Sequence, residues 1–238
     1  MARTDAAGPR SLLESLQRVI ERTYDLETGV DDIGRFVIGD EGYRRIYGPH
    51  DAAGKVVETV GSATPGAGAR TLVREAGGGL AVSIYYPDRL IRCLERNDPT
   101  RRLDDGNVDA FATLVEELDH FLMIAERYRS RGVMSLLDLE LHANVTKYLV
   151  LKMFVGRMRR MARLSAADSA WVRFHIFDKG EFADPDPDVQ ARYRDASRLA
   201  SRYVRRLEAI DPARRPSELR RFHRMTPQGK VAYIEANC

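Results

Sequence analysis

The 238-residue chain contains little cysteine and no long apolar run. Its two cysteines, Cys93 and Cys238, provide neither a disulfide framework nor a zinc-finger spacing, which is typical of proteins in a reducing compartment. The longest apolar stretch, Tyr148 to Val155, is interrupted by Lys152, and a transmembrane helix needs roughly 18 apolar residues. No basic segment followed by an apolar segment opens the chain, so no signal peptide is expected. These absences predict a cytoplasmic protein that does not associate with a membrane.

Lysine is also scarce, so most of the positive charge is carried by arginine. The net charge of +3 is uneven, because residues 157–224 contain 17 Lys and Arg against 10 Asp and Glu. The charged fraction of 31% and the apolar fraction of 44% are typical of globular proteins and argue against wholesale disorder. A chain of this length can bury a substantial core.

Apolar periodicity predicts an α+β fold that is predominantly helical, with a small N-terminal sheet packed against a larger helical C-terminal part. Strands are predicted at Arg35–Ile38, at Val56–Val60, and in a hairpin of 71–75 with Leu80–Tyr86. Helices are predicted at 11–25, 87–96, 108–130, 135–161, from 165 onward, at 189–210 and at 217–225. Residues 1–10 are expected to be a flexible tail. Residues 11–238 are expected to form one domain, in which 11–106 is the α+β part and 107–238 the helical part.

The predicted helix 108–130 carries a cluster of acidic residues and a histidine beside a second apolar face. Glu116 and His120 are four residues apart, so both side chains can reach one point above the same face. Glu117 lies slightly rotated from them. A helix that is apolar on two sides is buried on two sides, so we expect this cluster to be buried.

The next helix is expected to supply a third group, Glu140. The turn is marked by Gly132, which follows His120 by 12 residues and precedes Glu140 by eight. Because each helical residue rises about 1.5 Å, antiparallel packing places Glu140 to Asn144 roughly level with His120. His142 is rotated toward another face. Asn144, one turn after Glu140, is the expected hydrogen-bonding partner of the ligands.

This pattern, E-E-L-D-H at 116–120 followed by E-L-H-A-N at 140–144, resembles the motif of zincin metallopeptidases of the gluzincin type. That family has H-E-x-x-H on one helix and a later glutamate as third ligand. The resemblance covers residues 80–144, and it implies a zincin-like fold with Leu80–Tyr86 as the edge strand beside the cleft. It also implies that Glu117 is the general base and that His120 and Glu140 bind metal. The chain departs from the family at Glu116, which stands where the family has its first histidine ligand.

The resemblance therefore implies a metal-dependent hydrolase that acts on a peptide or another amide, with Glu116, His120 and Glu140 as metal ligands. Zn²⁺ is the expected ion, and Mn²⁺ or Fe²⁺ also suit a carboxylate-rich site. Two carboxylates make the metal-bound water less acidic, so hydrolysis should be weaker than in the family. A zincin also needs a downstream group that stabilises the oxyanion, for which His175 and Tyr193 are candidates.

Other interpretations of the same cluster remain open. An inactive zincin-like protein would keep the fold as a binding or regulatory module for a peptide or protein. A helix pair in which buried polar groups satisfy one another would produce the same pattern without a metal. A di-iron bundle is disfavoured because it needs a second E-x-x-H, which the chain lacks. The sequence gives no indication of oligomeric state.

The Arg-rich C-terminal helices suggest a different class of function, the binding of a polyanion. Arg198, Arg202, Arg205 and Arg206 lie near one face of the predicted helix 189–210. A solvated face on an Arg-rich protein accounts for the same residues. Nucleic acid is disfavoured as a partner because no helix-turn-helix or other nucleic-acid-binding module is recognisable. The remaining histidines are expected in the core, for His175, or at the surface, for His50 and His223.

Overall fold

A computed structural model describes residues 11–47, 56–60, 68–76, 79–161, 163–179 and 185–238. The predicted tail 1–10 and His50 lie outside these residues. The described part is mostly helical and has one small sheet, as predicted. The α-helices are α1 Leu12–Tyr24, α2 Asp40–Tyr47, α3 Asp88–Arg96, α4 Val108–Ser130, α5 Leu136–Arg159, α6 Ala166–Arg173, α7 Pro187–Ala209, α8 Arg215–His223 and α9 Pro227–Asn237. None of them is long and apolar enough to cross a membrane.

Within the described ranges, the sheet has four strands, β1 Val37–Ile38, β2 Val56–Val60, β3 Arg70–Ala76 and β4 Gly79–Tyr85, in the order β1-β4-β3-β2. The predicted hairpin is β3 and β4, which are antiparallel in continuous register from Arg70 opposite Tyr85 to Ala76 opposite Gly79. The expectation that this second strand lies at the sheet edge is wrong. The short β1 pairs with it in parallel at Ile84 and Tyr85, so β4 is an inner strand.

Three local predictions differ from the structure in extent. Residues 33–36 form a 3₁₀ turn, so the predicted strand 35–38 is reduced to β1. Residues 227–237, which follow the last predicted helix at 217–225, form the full helix α9. The segment that contains His175 is a π-helical turn, Phe174–Asp178, that continues directly from α6.

Helices α4 and α5 form the antiparallel pair that the sequence predicts. Helix α4 ends where Arg131 adopts a left-handed backbone conformation (φ 53°), and α5 begins where the Ser135 hydroxyl accepts a hydrogen bond from the Asp138 amide. Both helix caps provide hydrogen bonds for backbone groups that a helix end leaves unpaired. Only three residues separate these two caps, so the turn is short, the two helices pack antiparallel and their polar residues meet.

Helix α4 is buried on two sides, as its two apolar faces predict. One face, which includes Phe111, Val115 and Leu118, joins the large core formed with residues of α1, α5, α7, α8 and α9. The other contributes Met123 and Ile124 to a small separate cluster with Val73 and Val82 of the hairpin and Leu136 and Leu139 of α5. The polar residues of α4 are therefore enclosed between the sheet and the neighbouring helices.

Helix α9 is attached to the start of α5 by a fully buried ion pair. The Nζ of Lys230 lies 2.6 Å from Oδ1 of Asp138, and both side chains have 0% exposure. Lys230 also lies over the ring of Phe222, 5.6 Å from its centroid. Removing one member of such a pair leaves an uncompensated buried charge, which costs about 3–5 kcal/mol. The docking of α9 and the charge at the start of α5 thus depend on each other.

Candidate metal centre

Glu116, His120 and Glu140 come together between α4 and α5, as the sequence predicts. One potential ligand atom from each residue lies within 4.8 Å of the others. His120 is fully buried and its Nε2 lies 3.8 Å from Oε2 of Glu140. Glu116 is only partly buried, with 24% of its side chain exposed, because it lies at the end of the cluster where Lys147 reaches it. The expectation that the whole cluster is buried is therefore wrong for Glu116.

Several polar atoms of this cluster are buried and have no hydrogen-bond partner among the described residues. They are both ring nitrogens of His120 and both carboxylate oxygens of Glu140. The ion-pair distances of the imidazole, 3.7 Å from Nδ1 to Glu117 and 3.8 Å from Nε2 to Glu140, are too long for hydrogen bonds. A buried polar atom without a partner costs about 1–3 kcal/mol, so four such atoms in one place require a physical explanation.

Glu117 lies on the opposite side of the imidazole from Glu140. Its Oε2 is 3.7 Å from Nδ1 of His120 and accepts a hydrogen bond of 3.0 Å from the Thr71 hydroxyl on β3. The same hydroxyl lies 3.0 Å from the Glu117 carbonyl oxygen. A carboxylate on the second ring nitrogen commonly orients a metal-binding histidine. This placement favours a positioning role, and the predicted role of Glu117 as general base stays a prediction.

The electrostatics of the cluster are those of an imidazole held between carboxylates. Burial opposes the charged ring, but Glu117, Glu140 and Glu116 together outweigh burial and raise the pKa of His120 to about 9. Burial, opposed by His120 and reinforced by Glu116, raises the pKa of Glu140 to about 7. Burial likewise raises the pKa of Glu117, against the influence of His120. The cluster therefore attracts positive charge, either a proton or a metal ion.

Three further residues surround the ligand positions. Lys147 forms an ion pair of 3.1 Å with Oε2 of Glu116. Burial, and then the negative charges of Glu140 and Glu116, raise the pKa of the Tyr193 phenol on α7. Asn144 is buried one turn after Glu140, and the described residues give it no hydrogen bond to the ligands, so its predicted role stays a prediction. Of the two candidates for oxyanion stabilisation, Tyr193 is the one whose pKa responds to the charges of the cluster.

His175 lies elsewhere, beside the loop that precedes α4. Its Nε2 is 3.0 Å from Oδ1 of Asp105, and its ring packs against that of Trp171 at 4.6 Å between centroids. Only 4% of the side chain is exposed. The prediction that this histidine is packed is therefore confirmed, but its imidazole is satisfied at Nε2 alone, because Nδ1 has no hydrogen-bond partner in the described part of the chain.

A second polar network, which sequence reasoning missed, crosses the other side of α4. Asp119 lies 2.8 Å from Nδ1 of His142 and accepts a hydrogen bond of 2.8 Å from the Thr146 hydroxyl. Nε2 of His142 is 3.3 Å from Nδ1 of His223 on α8, and Thr146 also bonds the Tyr24 hydroxyl of α1. All five side chains are buried. The network therefore ties α1, α4, α5 and α8 together through hydrogen bonds.

The prediction that His223 lies at the surface is wrong, since its side chain is only 4% exposed. The sequence around His223 shows no clear apolar face that would indicate its burial, because its neighbours include Arg221, Arg224 and Met225. Asp119 and His142 were detectable, because the register that sets Glu140 opposite His120 also sets His142 opposite Asp119. The spacing of residues in α4 and α5 therefore indicates two polar pairs on different faces of α4, and only the pair of His120 with Glu140 is predicted above.

The His223 network makes the free energy of unfolding depend on pH. Burial, and then His142, Lys230, Arg127 and Arg224, lower the pKa of His223 to about 2, against about 6.5 in an unfolded chain. Below pH 6.5 the unfolded state therefore binds a proton that the folded state does not, so this contribution to stability is lost as pH falls. Between pH 7.5 and pH 5 the loss from this group is about 2 kcal/mol.

Urea unfolding at pH 7.5 and 5.0 measures this effect, with His223→Gln compared with the unsubstituted protein. The difference between the two proteins isolates His223 from other titrating groups, including His120, whose raised pKa contributes with the opposite sign. We expect the variant to lose about 2 kcal/mol less between the two pH values. Equal losses in both proteins would show that His223 is protonated as readily in the folded state as in the unfolded state.

Comparisons of the chain with models of known protein families, with curated proteins and with solved structures found no match. The resemblance to zincins therefore rests on the E-E-x-x-H…E pattern and on its placement between α4 and α5. The residues of the candidate metal centre are therefore the basis for proposing what this protein does.

Proposed function

We propose that this protein binds a divalent metal ion through Glu116, His120 and Glu140 and uses it to hydrolyse a peptide or other amide bond. The observation that carries the proposal is the group of buried atoms of His120 and Glu140 that lack partners. A divalent ion in contact with these side chains would remove the cost of leaving them unsatisfied. An imidazole with two carboxylates is a donor set that suits Zn²⁺ first, and also Mn²⁺ or Fe²⁺.

The surrounding residues support a site with defined orientation. Thr71 holds Glu117 against Nδ1 of His120, which leaves Nε2 directed toward Glu140. Lys147 holds Glu116 at the more exposed end of the cluster. A bound divalent ion supplies Lewis acidity that polarises a carbonyl group and lowers the pKa of water. The Tyr193 phenol, which its raised pKa keeps protonated, can donate a hydrogen bond to a developing oxyanion.

A zincin-like arrangement is part of this proposal. In support, α4 carries the E-E-x-x-H pattern, the β3–β4 hairpin packs against it, and α5 supplies the glutamate. The inner position of β4 argues against a cleft formed along that strand, because β1 pairs with its end. A substrate would therefore have to approach from the end of the cluster where Glu116 is partly exposed.

The metal content of the purified protein tests the proposal. Plasma mass spectrometry on protein prepared without a metal-binding tag should find about one divalent ion per chain. The variants His120→Ala and Glu140→Ala should lose the ion, whereas His175→Ala, which removes an imidazole outside the cluster, should retain it. Absence of metal after incubation with zinc, manganese or iron salts would refute the metal site and, with it, the hydrolase.

A second candidate function is a metal-binding module without hydrolytic activity, and the placement of Glu117 favours it. A general base has to face the reacting water, whereas Glu117 faces the far nitrogen of His120. A screen with quenched fluorescent peptides, with and without a chelator, separates the two candidates. Cleavage that is lost on chelation and restored by metal supports the hydrolase. One bound ion per chain without cleavage supports the binding module.

A further inference from the structure

A row of arginines follows one face of α7 and lines a groove on the surface. Arg194, Arg198, Arg202 and Arg205 face this groove together with Ser197 and Ser201. Its volume is about 350 Å³, and its opposite wall is formed by Phe177 and Asp178 of the π-helical turn. Four arginines thus stand against one aspartate among the described residues that line the groove. The row is about 16 Å long, because residues 194–205 rise about 1.5 Å each.

The four arginines that line the groove are not the same four that helical periodicity places near one face. Arg206 does not belong to it, since its Nε donates a hydrogen bond of 2.8 Å to the Tyr233 hydroxyl of α9. Arg194 takes its place at the other end, one turn before Arg198. A structural role therefore accounts for Arg206, and Arg202 shares it in part because it also donates to backbone oxygens of α9 and its C-cap. Within the described ranges, Arg194, Arg198 and Arg205 make no hydrogen bond to α9 and contact neighbours on their own helix.

The groove arginines are only lightly engaged by the rest of the protein. Arg198 forms an exposed ion pair with Asp195 at 3.2 Å, of a kind worth little in water. Arg202 donates to the carbonyl oxygens of Ile234 and Cys238, and Arg205 lies 3.5 Å from the Ser201 hydroxyl. The Ser201 hydroxyl is a neutral acceptor and leaves the charge of Arg205 uncompensated, whereas Arg202 is held by backbone oxygens of α9 and of the residue after it. Ser197 is 5% exposed and, among the described residues, its hydroxyl makes no hydrogen bond.

We infer that this groove binds the phosphate backbone of a single-stranded nucleic acid. Guanidinium groups and serine hydroxyls are the donors that most often contact phosphate oxygens in such complexes. Cations spaced one helical turn apart, about 5.4 Å, suit a linear chain of phosphates better than a single anion. Phe177, whose ring stacks on that of Tyr148 at 5.9 Å between centroids, closes the other wall of the groove and gives it a firm apolar side. The groove lies apart from the proposed metal ligands and does not depend on them.

Fluorescence anisotropy with a labelled 20-mer of uridine tests this inference on the full chain. With four phosphate contacts, raising the salt concentration from 50 to 200 mM should weaken binding about 50-fold. The double variant Arg198→Ala/Arg205→Ala should bind more weakly at 50 mM and lose only about 7-fold over the same range. The control Arg157→Ala/Arg163→Ala removes the same charge from exposed positions outside the groove and should behave as the unsubstituted protein.

Two results would overturn the inference. One is the absence of oligonucleotide binding at 50 mM salt. The other is an equal loss of affinity in both double variants, which would show that binding follows net charge and not the groove. Circular dichroism of each variant confirms that the helices are intact, since the substituted arginines are exposed.

Discussion

Replacement of Glu117 by Gln is expected to weaken metal binding about 10- to 100-fold, the usual effect of removing a carboxylate that orients a ligand histidine. The amide can still accept the hydrogen bond of Thr71 but no longer offers a negative charge to Nδ1 of His120. The imidazole is then held less firmly toward Glu140. Competition with a chromophoric chelator measures the dissociation constant directly.

Glu126→Gln is the matched control for this substitution. Glu126 lies on the same helix, but it faces His223 and Arg127 and not the cluster. Its amide variant should therefore bind metal with unchanged affinity. If instead Glu117→Gln kept full metal affinity while peptide cleavage fell by two or more orders of magnitude, Glu117 would be the general base that the zincin resemblance implies.

Replacement of Asp119 by Ala is expected to lower the free energy of unfolding by about 3–5 kcal/mol. Asp119 is fully buried and accepts hydrogen bonds from His142 and Thr146. The truncation leaves His142 without its carboxylate acceptor inside the core, leaves Thr146 with Tyr24 alone, and adds a cavity. Because small domains are stable by only about 5–15 kcal/mol, this one change would remove a large share of the total.

Asp119→Asn provides the comparison that identifies the cause. It retains an acceptor for His142 and the volume of the side chain, so the expected loss is about 1–2 kcal/mol. Urea unfolding of the two variants at pH 7.5 gives both values. Similar losses from Ala and Asn would assign the effect to the charge, and a loss below 1 kcal/mol from Ala would show that the network contributes little to stability.

The fold was predictable where local signals agree with one another. The caps at Ser135 and Ser165, the short turn after α4 and the alternation in the hairpin all indicate elements that the structure contains. The pairing of the two-residue strand β1 with β4 was not predictable, because it depends on contacts between residues that are far apart in the chain. Helix α2, over Asp40–Tyr47, has only two turns, with one glycine and four charged residues, so its apolar pattern is too short to indicate a helix.

The candidate site was predictable to the extent that it lies on one helix pair. Antiparallel register across the turn brings Glu140 opposite His120, and rise per residue alone determines that match. The positions of Tyr193 and His223 depend on how α7 and α8 dock, which no local pattern encodes. The orientation of Glu117 toward Nδ1 likewise depends on Thr71, a hydroxyl 46 residues earlier in the chain.

The ion pair between Lys230 and Asp138 has a consequence for the order of events during synthesis. The two residues are separated by 92 positions, so Asp138 leaves the ribosome long before its counter-ion is made. Until α9 emerges, the first turn of α5 holds a carboxylate whose burial is unfavourable. A chain truncated before Lys230 is therefore expected to pack the first turn of α5 less tightly and to be more open to proteolysis there.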